Sequence, residues 1–331
     1  MVSLGAPRTF GFFLVPRFAM LAFSSAVEPL RAANLLSGRE LYRWLAISRD
    51  GGPVAASNGL QVIAEADIET AGRLDDVVVC SGLDAQLFKD KAVFAWLRRA
   101  GREGTRVGAL SDGSFILARA GLLTGYRCTI HWQCLPGFTE TFPDIEVDAE
   151  LFRMDRGRFT ASGGTAALDL MLHMIEIDHG RDLAIAVAEQ LLHERIREDD
   201  DRQRMPLRVR LGLGHPKVLE VVAMMEANLE EPVSCVDLAV GCGISSRQME
   251  RLFRKYLACT PRRYYLRLRL QRARRLLNES SLPVMEVALA CGFVSPSHFA
   301  KCYREQYQQV PKSTRQTGTV RPASGGPLAA E

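Results

Sequence analysis

No stretch of this 331-residue chain runs unbroken through the roughly 20 apolar residues that a membrane-spanning helix needs. The apolar "TFGFFLV" near the start is broken by Pro16 and Arg17, and nothing there reads as a signal peptide or anchor. A cytoplasmic protein with no membrane partner is therefore expected. The eight cysteines contain no Cys-x-x-Cys pair, the spacing on which zinc ribbons and dithiol redox motifs are built. Reduced thiols fit that pattern best, with zinc a poor second, and neither a metal nor a cofactor is expected. A strong net charge is missing too, since 42 Lys and Arg against 38 Asp and Glu leave only +4. That balance hides a partition: residues 206–317 hold 18 basic and 9 acidic side chains, or +9, whereas residues 1–205 hold 23 and 28, or −5. A basic module joined to an acidic one points to a polyanionic partner for the first. The length suffices for two cores.

Within the basic module one pattern is written twice. The first copy reads "VDLAVGCGISSRQMERLFRKYLACTP" from Val236 and the second "MEVALACGFVSPSHFAKCYREQYQQVP" from Met285. In each, a short apolar helix ends at a Cys-Gly pair, a Ser-containing turn follows, and an amphipathic helix stops before a proline. Glycine belongs at that turn because positive φ without a side chain lets two helices cross closely. The inward stripe of the second helix is Met249, Leu252, Phe253 and Leu257 in copy one, and Phe299, Cys302, Tyr303 and Tyr307 in copy two. Between the copies, "PRRYYLRLRLQRARRLLNES" from Pro261 reads as a long basic helix with Tyr264, Leu268 and Leu276 available for packing.

This is a duplicated helix-turn-helix, and its partner is expected to be double-stranded promoter DNA. A major groove admits one helix, whose N-terminal residues reach base edges while flanking cations meet phosphates. Two heads on one chain would enter successive grooves roughly 34 Å apart. The expected DNA-binding residues are Arg247, Gln248, Glu250, Arg251 and Arg254 in the first head and Pro296, Ser297, His298, Lys301 and Arg304 in the second. Of these, Arg247 and Arg251 suit guanine and Glu250 suits cytosine, while Arg254 joins Arg262, Arg263 and Lys312 as phosphate contacts. These residues resemble the DNA-binding domain of the AraC/XylS family over roughly 215–315, with Pro261, Tyr264, Arg269 and Ala273 in the linking helix and Gly292-Phe293 with Pro311 in the second head. The resemblance implies seven helices and operator binding. Thr314 departs from it, the family having a tyrosine there.

The acidic part alternates β-rich runs, at 9–15, 42–48, 76–80, 107–111 and 157–161, with helical patterns such as 86–101 and 113–120, and closes with two helices after 163. That alternation predicts an α/β fold, a parallel sheet covered on both faces, with a ligand crevice beyond the carboxyl ends of its strands. Two loops fall there: Ser81-Gly82, and Ser111-Asp112-Gly113 before a helix. Ser111 occupies the place of a nucleophile elbow. A serine nucleophile needs a base, of which His131 in "TIHW" is the nearest in sequence; the alternative is that Ser111 caps a helix.

The segment "GALSDGSFILARAGLLTGYRCTIHW", with "EPLRAAN" at 28–34 and "SGGTAALDLMLHMIE" at 162–176, resembles the DJ-1/PfpI class of glutamine amidotransferase-like domains over about 9–195. The resemblance implies a flavodoxin-like sandwich and, in that family's enzymes, an elbow cysteine and an acidic partner. Here Ser111 and, in a looser alignment, Ala22 stand at those places, so no catalytic residue and no enzyme is expected. A DJ-1-like domain ahead of an AraC-type domain resembles the GlxA group of transcriptional regulators. That resemblance implies a regulator, an activator in the expected reading, that answers an amino acid or quaternary amine. Its small-molecule effector is expected near Ser81, Gly82, Ser111, Asp112, His131 and Trp132, with Trp132 or Trp44 as an aromatic wall for a cation. RNA polymerase and a second copy of the chain, as a homodimer, are the other expected partners. A hydrolase tethered to DNA and a constitutive scaffold remain the alternatives. The expected division is a sensing and dimerisation domain at 1–195, a linker at 196–214, a DNA-binding domain at 215–316 and a disordered tail at 317–331.

Overall fold

The computed structural model describes residues 6–199, 201–280 and 282–317, and the chain divides into two compact units, Met1–Arg204 and Met205–Glu331. The strands of the first unit are β1 (Arg8–Leu14), β2 (Tyr42–Ser48), β3 (Val54–Ala55), β4 (Gln61–Val62), β5 (Ala66–Asp67), β6 (Asp76–Cys80), β7 (Arg106–Leu110), β8 (Cys128–Thr129), β9 (Val147–Asp148), β10 (Phe152–Asp155) and β11 (Arg158–Ala161). Its helices are α1 (Met20–Ser37), α2 (Lys91–Arg102), α3 (Ser114–Arg119), α4 (Leu135–Thr141), α5 (Ala166–His179) and α6 (Arg181–Gln190).

Seven strands form one sheet in the order β10-β11-β7-β6-β1-β2-β5, parallel throughout except for the β10–β11 pair. Without its two outermost strands this is the 2-1-3-4-5 order of a flavodoxin-like fold, whose order reverses between β1 and β6. Strands covered on both faces need apolar residues at consecutive positions, and Val77-Val78-Val79 supplies them. Phe10, Phe12 and Leu14 of β1 join α1 and α5 in one core, whereas Phe13 with Val77 and Val79 faces α2 and α3 in the other. At the amino end of the sheet, fully buried Asp76 holds Arg8 (Nε–Oδ2 2.5 Å) and Arg106 (Nε–Oδ1 2.7 Å), pinning the starts of three neighbouring strands. The five expected strands lie within one residue of their expected places. The helix expected over 86–101 starts later, at Lys91, because the Asp90 carboxylate accepts from the amides of Ala92 and Val93 and so caps it there.

The second unit is helical: α7 (Leu207–Leu211), α8 (Pro216–Ala227), α9 (Cys235–Gly241), α10 (Ser246–Leu257), α11 (Pro261–Glu279), α12 (Val284–Ala290), α13 (Pro296–Tyr307) and α14 (Pro311–Thr317). From α8 onward these are the seven helices that the family resemblance implies, and α7 is an addition. It has two cores rather than one. Val221, Val222, Leu238, Met249 and Phe253 surround the first, and Leu276, Val287, Phe293, Phe299 and Tyr303 the second. The linking helix α11 contributes Tyr265 to one and Leu270, Ala273 and Leu276 to the other, so each head has its own interior.

Residues 196–214, expected as a linker, are instead shared between the units. Arg197, Asp199 and Gln203 bond back to the first unit, while α7 belongs to the second, where Arg210 meets Glu226 at 2.9 Å. Their partners lie 16 to 73 residues away, which periodicity does not show. The stretch expected as a disordered tail falls, beyond Thr317, outside the described residues.

Candidate DNA interface and effector pocket

Each head is built by the same local chemistry. Gly243 and Gly292, with φ of 66° and 74°, turn the chain after α9 and α12. Ser245 then caps α10 by accepting from the Gln248 amide, and Ser295 caps α13 by accepting from the His298 amide. Ala258 and Gln308, both left-handed, end these helices. The expected stripes point inward, with Met249, Phe253, Phe299 and Tyr303 essentially buried. What remains outside is the polar set: all ten expected DNA-binding residues are exposed, as are Arg262, Arg263 and Lys312. Arg247, Gln248, Glu250, Arg251 and Arg254 wall one depression with Ser245. Glu250 lies 3.8 Å from Arg254, an exposed pair of small value that a base or phosphate can replace.

In the first unit four of the expected effector residues, Ser81, Gly82, Ser111 and Asp112, follow the carboxyl ends of adjacent strands, where β6 and β7 pair through Cys80 and Leu110, while His131 and Trp132 follow β8. Ser111, 8% exposed, has a φ of 58°, a left-handed conformation uncommon outside glycine. Gly163, after β11, allows it: a Cβ there would come within 2.8 Å of Ser111 Cβ. The Ser81 carbonyl accepts from the Ala19 amide at 3.3 Å, and Gly82 bridges to Phe18. Arg17 and Asp84 form an ion pair across the same crevice, which lies at the β1/β6 reversal. Burial pushes the Asp112 carboxyl up to about 6, against hydrogen bonds with Cys134 and Ser111 that pull it down. The Cys134 amide in turn donates to the His131 carbonyl at 2.8 Å, closing the His131–Trp132 turn that leads into this partner of Asp112. Two polar atoms here, Ser81 Oγ and Asp112 Oδ1, are buried without a hydrogen-bond partner. Trp44 lies within β2, opposite Phe10, and packs on the core under α1. A separate groove of about 900 Å³ opens at the opposite end of the sheet, lined by Arg8, Arg73 and Arg106 among others.

Comparison with known proteins matches residues 17–177 to the DJ-1/PfpI family and residues 238–317 to a helix-turn-helix domain. The HTH-type transcriptional regulator GbdR of Pseudomonas aeruginosa is 51% identical over 310 residues, spanning 94% of this chain and 84% of the relative. The chain belongs to the AraC-type transcriptional regulators that carry a DJ-1/PfpI domain. The HTH-type transcriptional regulator GlxA of Rhizobium meliloti has the same reach, at 41% identity over 92% of this chain and 94% of its own. Among solved structures, an AraC family transcriptional regulator from Pseudomonas putida matches with a TM-score of 0.53 and 32% identity, over 56% of this chain and all of that one.

Two residues named for the family resemblance, one matching it and one departing from it, gain a physical role in this regulator. Arg269 of α11 donates to the carbonyls of Cys291 (2.8 Å) and Gly292 (2.7 Å) and lies 4.2 Å over the Phe293 ring. It thereby fixes the turn of the second head, and burial lowers its pKa. Only the family resemblance marks it out in sequence from the six other arginines of α11. Thr314, where the family resemblance implies tyrosine, is buried and accepts from the Tyr303 hydroxyl at 3.0 Å. The departure thus keeps a hydrogen bond between α13 and α14. Among the described residues no helix is long and apolar enough to cross a membrane, and no three His, Cys, Asp or Glu side chains cluster as metal ligands would.

Proposed function

We propose that this DNA-binding transcriptional regulator is an effector-responsive activator. Its DJ-1/PfpI domain binds a small nitrogenous metabolite without transforming it, and its two heads read an operator through the ten exposed residues of α10 and α13. The carrying observation is the pair of unpartnered polar atoms, Ser81 Oγ and Asp112 Oδ1, buried just beyond the ends of β6 and β7. Buried polar atoms without partners are rare and expensive unless something else satisfies them, and a cationic or N–H-bearing ligand does so. Two surfaces support the remaining partners. The α1–α5–α6 layer leaves Leu21, Leu35 and Ile177 exposed, a face suited to a second copy. Helices α9 and α12 leave Val236, Val240, Met285 and Leu289 exposed in equivalent positions, faces suited to RNA polymerase.

The test is calorimetric titration of the full chain with glycine betaine, carnitine and arginine. Binding should weaken about tenfold in Asp112→Asn, and wild-type affinity in that variant would move the site elsewhere. Ionised Asp112 attracts a cation, so binding should strengthen as the pH rises through about 6 and fade below it. The strained elbow also favours a second reading, acyl transfer or hydrolysis through Ser111. Ester turnover that disappears in Ser111→Ala would establish that instead.

A further inference from the structure

The described residues between His193 and Arg204 lead directly to the boundary between the units, and several of them are tied down. Asp169, fully buried on α5, accepts from His193 Nε2 at 2.9 Å and from the backbone amide and guanidinium of Arg197 at 2.8 and 2.9 Å. Arg153 bonds Asp199 at 3.2 Å. The Gln203 amide then reaches the carbonyls of Ile130 (2.9 Å) and Glu150 (2.7 Å), next to the His131–Trp132 turn. Finally Arg204, the last residue of the first unit, sets its guanidinium 4.8 Å from the centre of the Trp132 ring.

A cation over an aromatic face is what the proposed pocket would offer its ligand. The chain already places one there, on the residue that joins the sensor to the DNA-binding unit. We infer that Arg204 is an internal stand-in for the effector, and that a small organic cation binding at Trp132 competes with it and frees the end of the strap. The inference rests on the reading of Trp132 as an effector residue. It adds the route of the signal. A ligand shifts an equilibrium only through different affinity for two states, and direct competition for one ring face supplies that difference: the strap is docked when the face holds Arg204 and free when it holds ligand. Gln203 and Asp169 are positioning residues that keep Arg204 within reach.

The experiment compares the full-length wild type with Arg204→Ala, Arg204→Lys and Trp132→Ala. Glycine betaine and free arginine serve as probes, and the operator is a duplex selected by the wild-type chain from a random pool. Melting temperature monitors folding. With its competitor removed, Arg204→Ala should bind the probes about fivefold more tightly than wild type. Promoter output without any effector should rise at least about threefold, Arg204→Lys should return both values toward wild type, and Trp132→Ala should lose probe binding. A folded Arg204→Ala chain with wild-type probe affinity and wild-type effector-free output overturns the inference, as does a wild type that binds neither cation. The functional reading fails separately, if no duplex is retained by the wild type under any condition.

Discussion

From the capping serine onward the two heads can be laid on each other residue for residue. Ser245, Phe253, Ala258 and Pro261 recur fifty positions on as Ser295, Tyr303, Gln308 and Pro311, with the same caps and the same left-handed helix ends. The frame repeats, but its surroundings do not. The first turn, Gly243-Ile244-Ser245, is one residue shorter than Gly292-Phe293-Val294-Ser295, where Val294 stands 96% exposed. A Cβ on Gly243 would meet nothing within 4 Å, whereas one on Gly292 would come within 2.4 Å of Pro232 and 2.9 Å of the Glu230 carbonyl. The second turn is therefore locked, by the 230–232 loop on one side and Arg269 on the other, and the first stands open. Charge runs the other way: Arg247 and Arg251 of the first head correspond to Ser297 and Lys301 of the second. A repeated frame thus carries more positive charge at the start of one recognition helix and a more closely packed turn before the other.

The largest expected effect breaks the likeness at the glycines. Gly292→Ala combines left-handed strain with a clash against backbone and should cost about 3–5 kcal/mol of stability, whereas Gly243→Ala carries the strain alone, about 1 kcal/mol. Equal losses in denaturant titration would show that the second turn is not locked. Arg269→Ala should follow at about 2 kcal/mol, since it leaves two carbonyls and the Phe293 face without their partner. Its signature should lie in the second head: hydrogen exchange should accelerate in α12 and α13 more than in α10.

The charge difference predicts unequal grip. Arg251→Ala should weaken operator binding about 10- to 100-fold and relax preference at one base pair, as expected for a lost bidentate guanine contact. Lys301→Ala, a point charge on the corresponding turn, should weaken it about fivefold. Arg254→Ala should act differently from both, lowering affinity on every sequence alike and reducing the salt slope by about one. Gel-shift titrations at several salt concentrations separate the three, and equal losses from Arg251→Ala and Lys301→Ala would erase the distinction between heads.

The heads were legible in the sequence because their determinants are local: Ser caps, Cys-Gly turns and apolar residues at helical spacing all lie within one turn of where they act. Strands were legible for the same reason, Val77-Val78-Val79 announcing a doubly covered strand, and Ser111 was placed at an elbow by its position after β7. The flanking sheet edges β5 and β10 went unread, being two and four residues long. Hidden as well was everything that depends on partners distant in the chain. Arg269 is marked in the sequence by the family resemblance alone, and its task shows only when its partners, the carbonyls of Cys291 and Gly292, are seen. The stretch 196–204 is charged and aperiodic, and only Asp169 and the Thr129–Trp132 turn convert it from apparent linker to docked strap. The residues proposed to meet an effector stand between these cases, since strand ends predict the neighbourhood of Ser81 and Asp112 but not the burial that leaves Ser81 Oγ and Asp112 Oδ1 without partners.

The smallest expected effect sharpens the likeness instead of breaking it. Ser245 and Ser295 accept from the amides of Gln248 and His298 at 3.1 and 3.3 Å, each satisfying a donor that the first turn of a helix otherwise leaves to water. The two serines are exposed, so truncation removes little besides the cap. Ser245→Ala and Ser295→Ala should each cost about 1 kcal/mol, and because the heads have separate cores the double variant should lose the sum. A shortfall from additivity in thermal unfolding would mean that α11 couples the two interiors. Since Gln248 and His298 stand on the capped turns, the same variants should lower operator affinity by a few-fold through loss of helix order where bases are read, Ser245→Ala more than Ser295→Ala, whose helix keeps Pro296 at its start and Arg269 behind its turn.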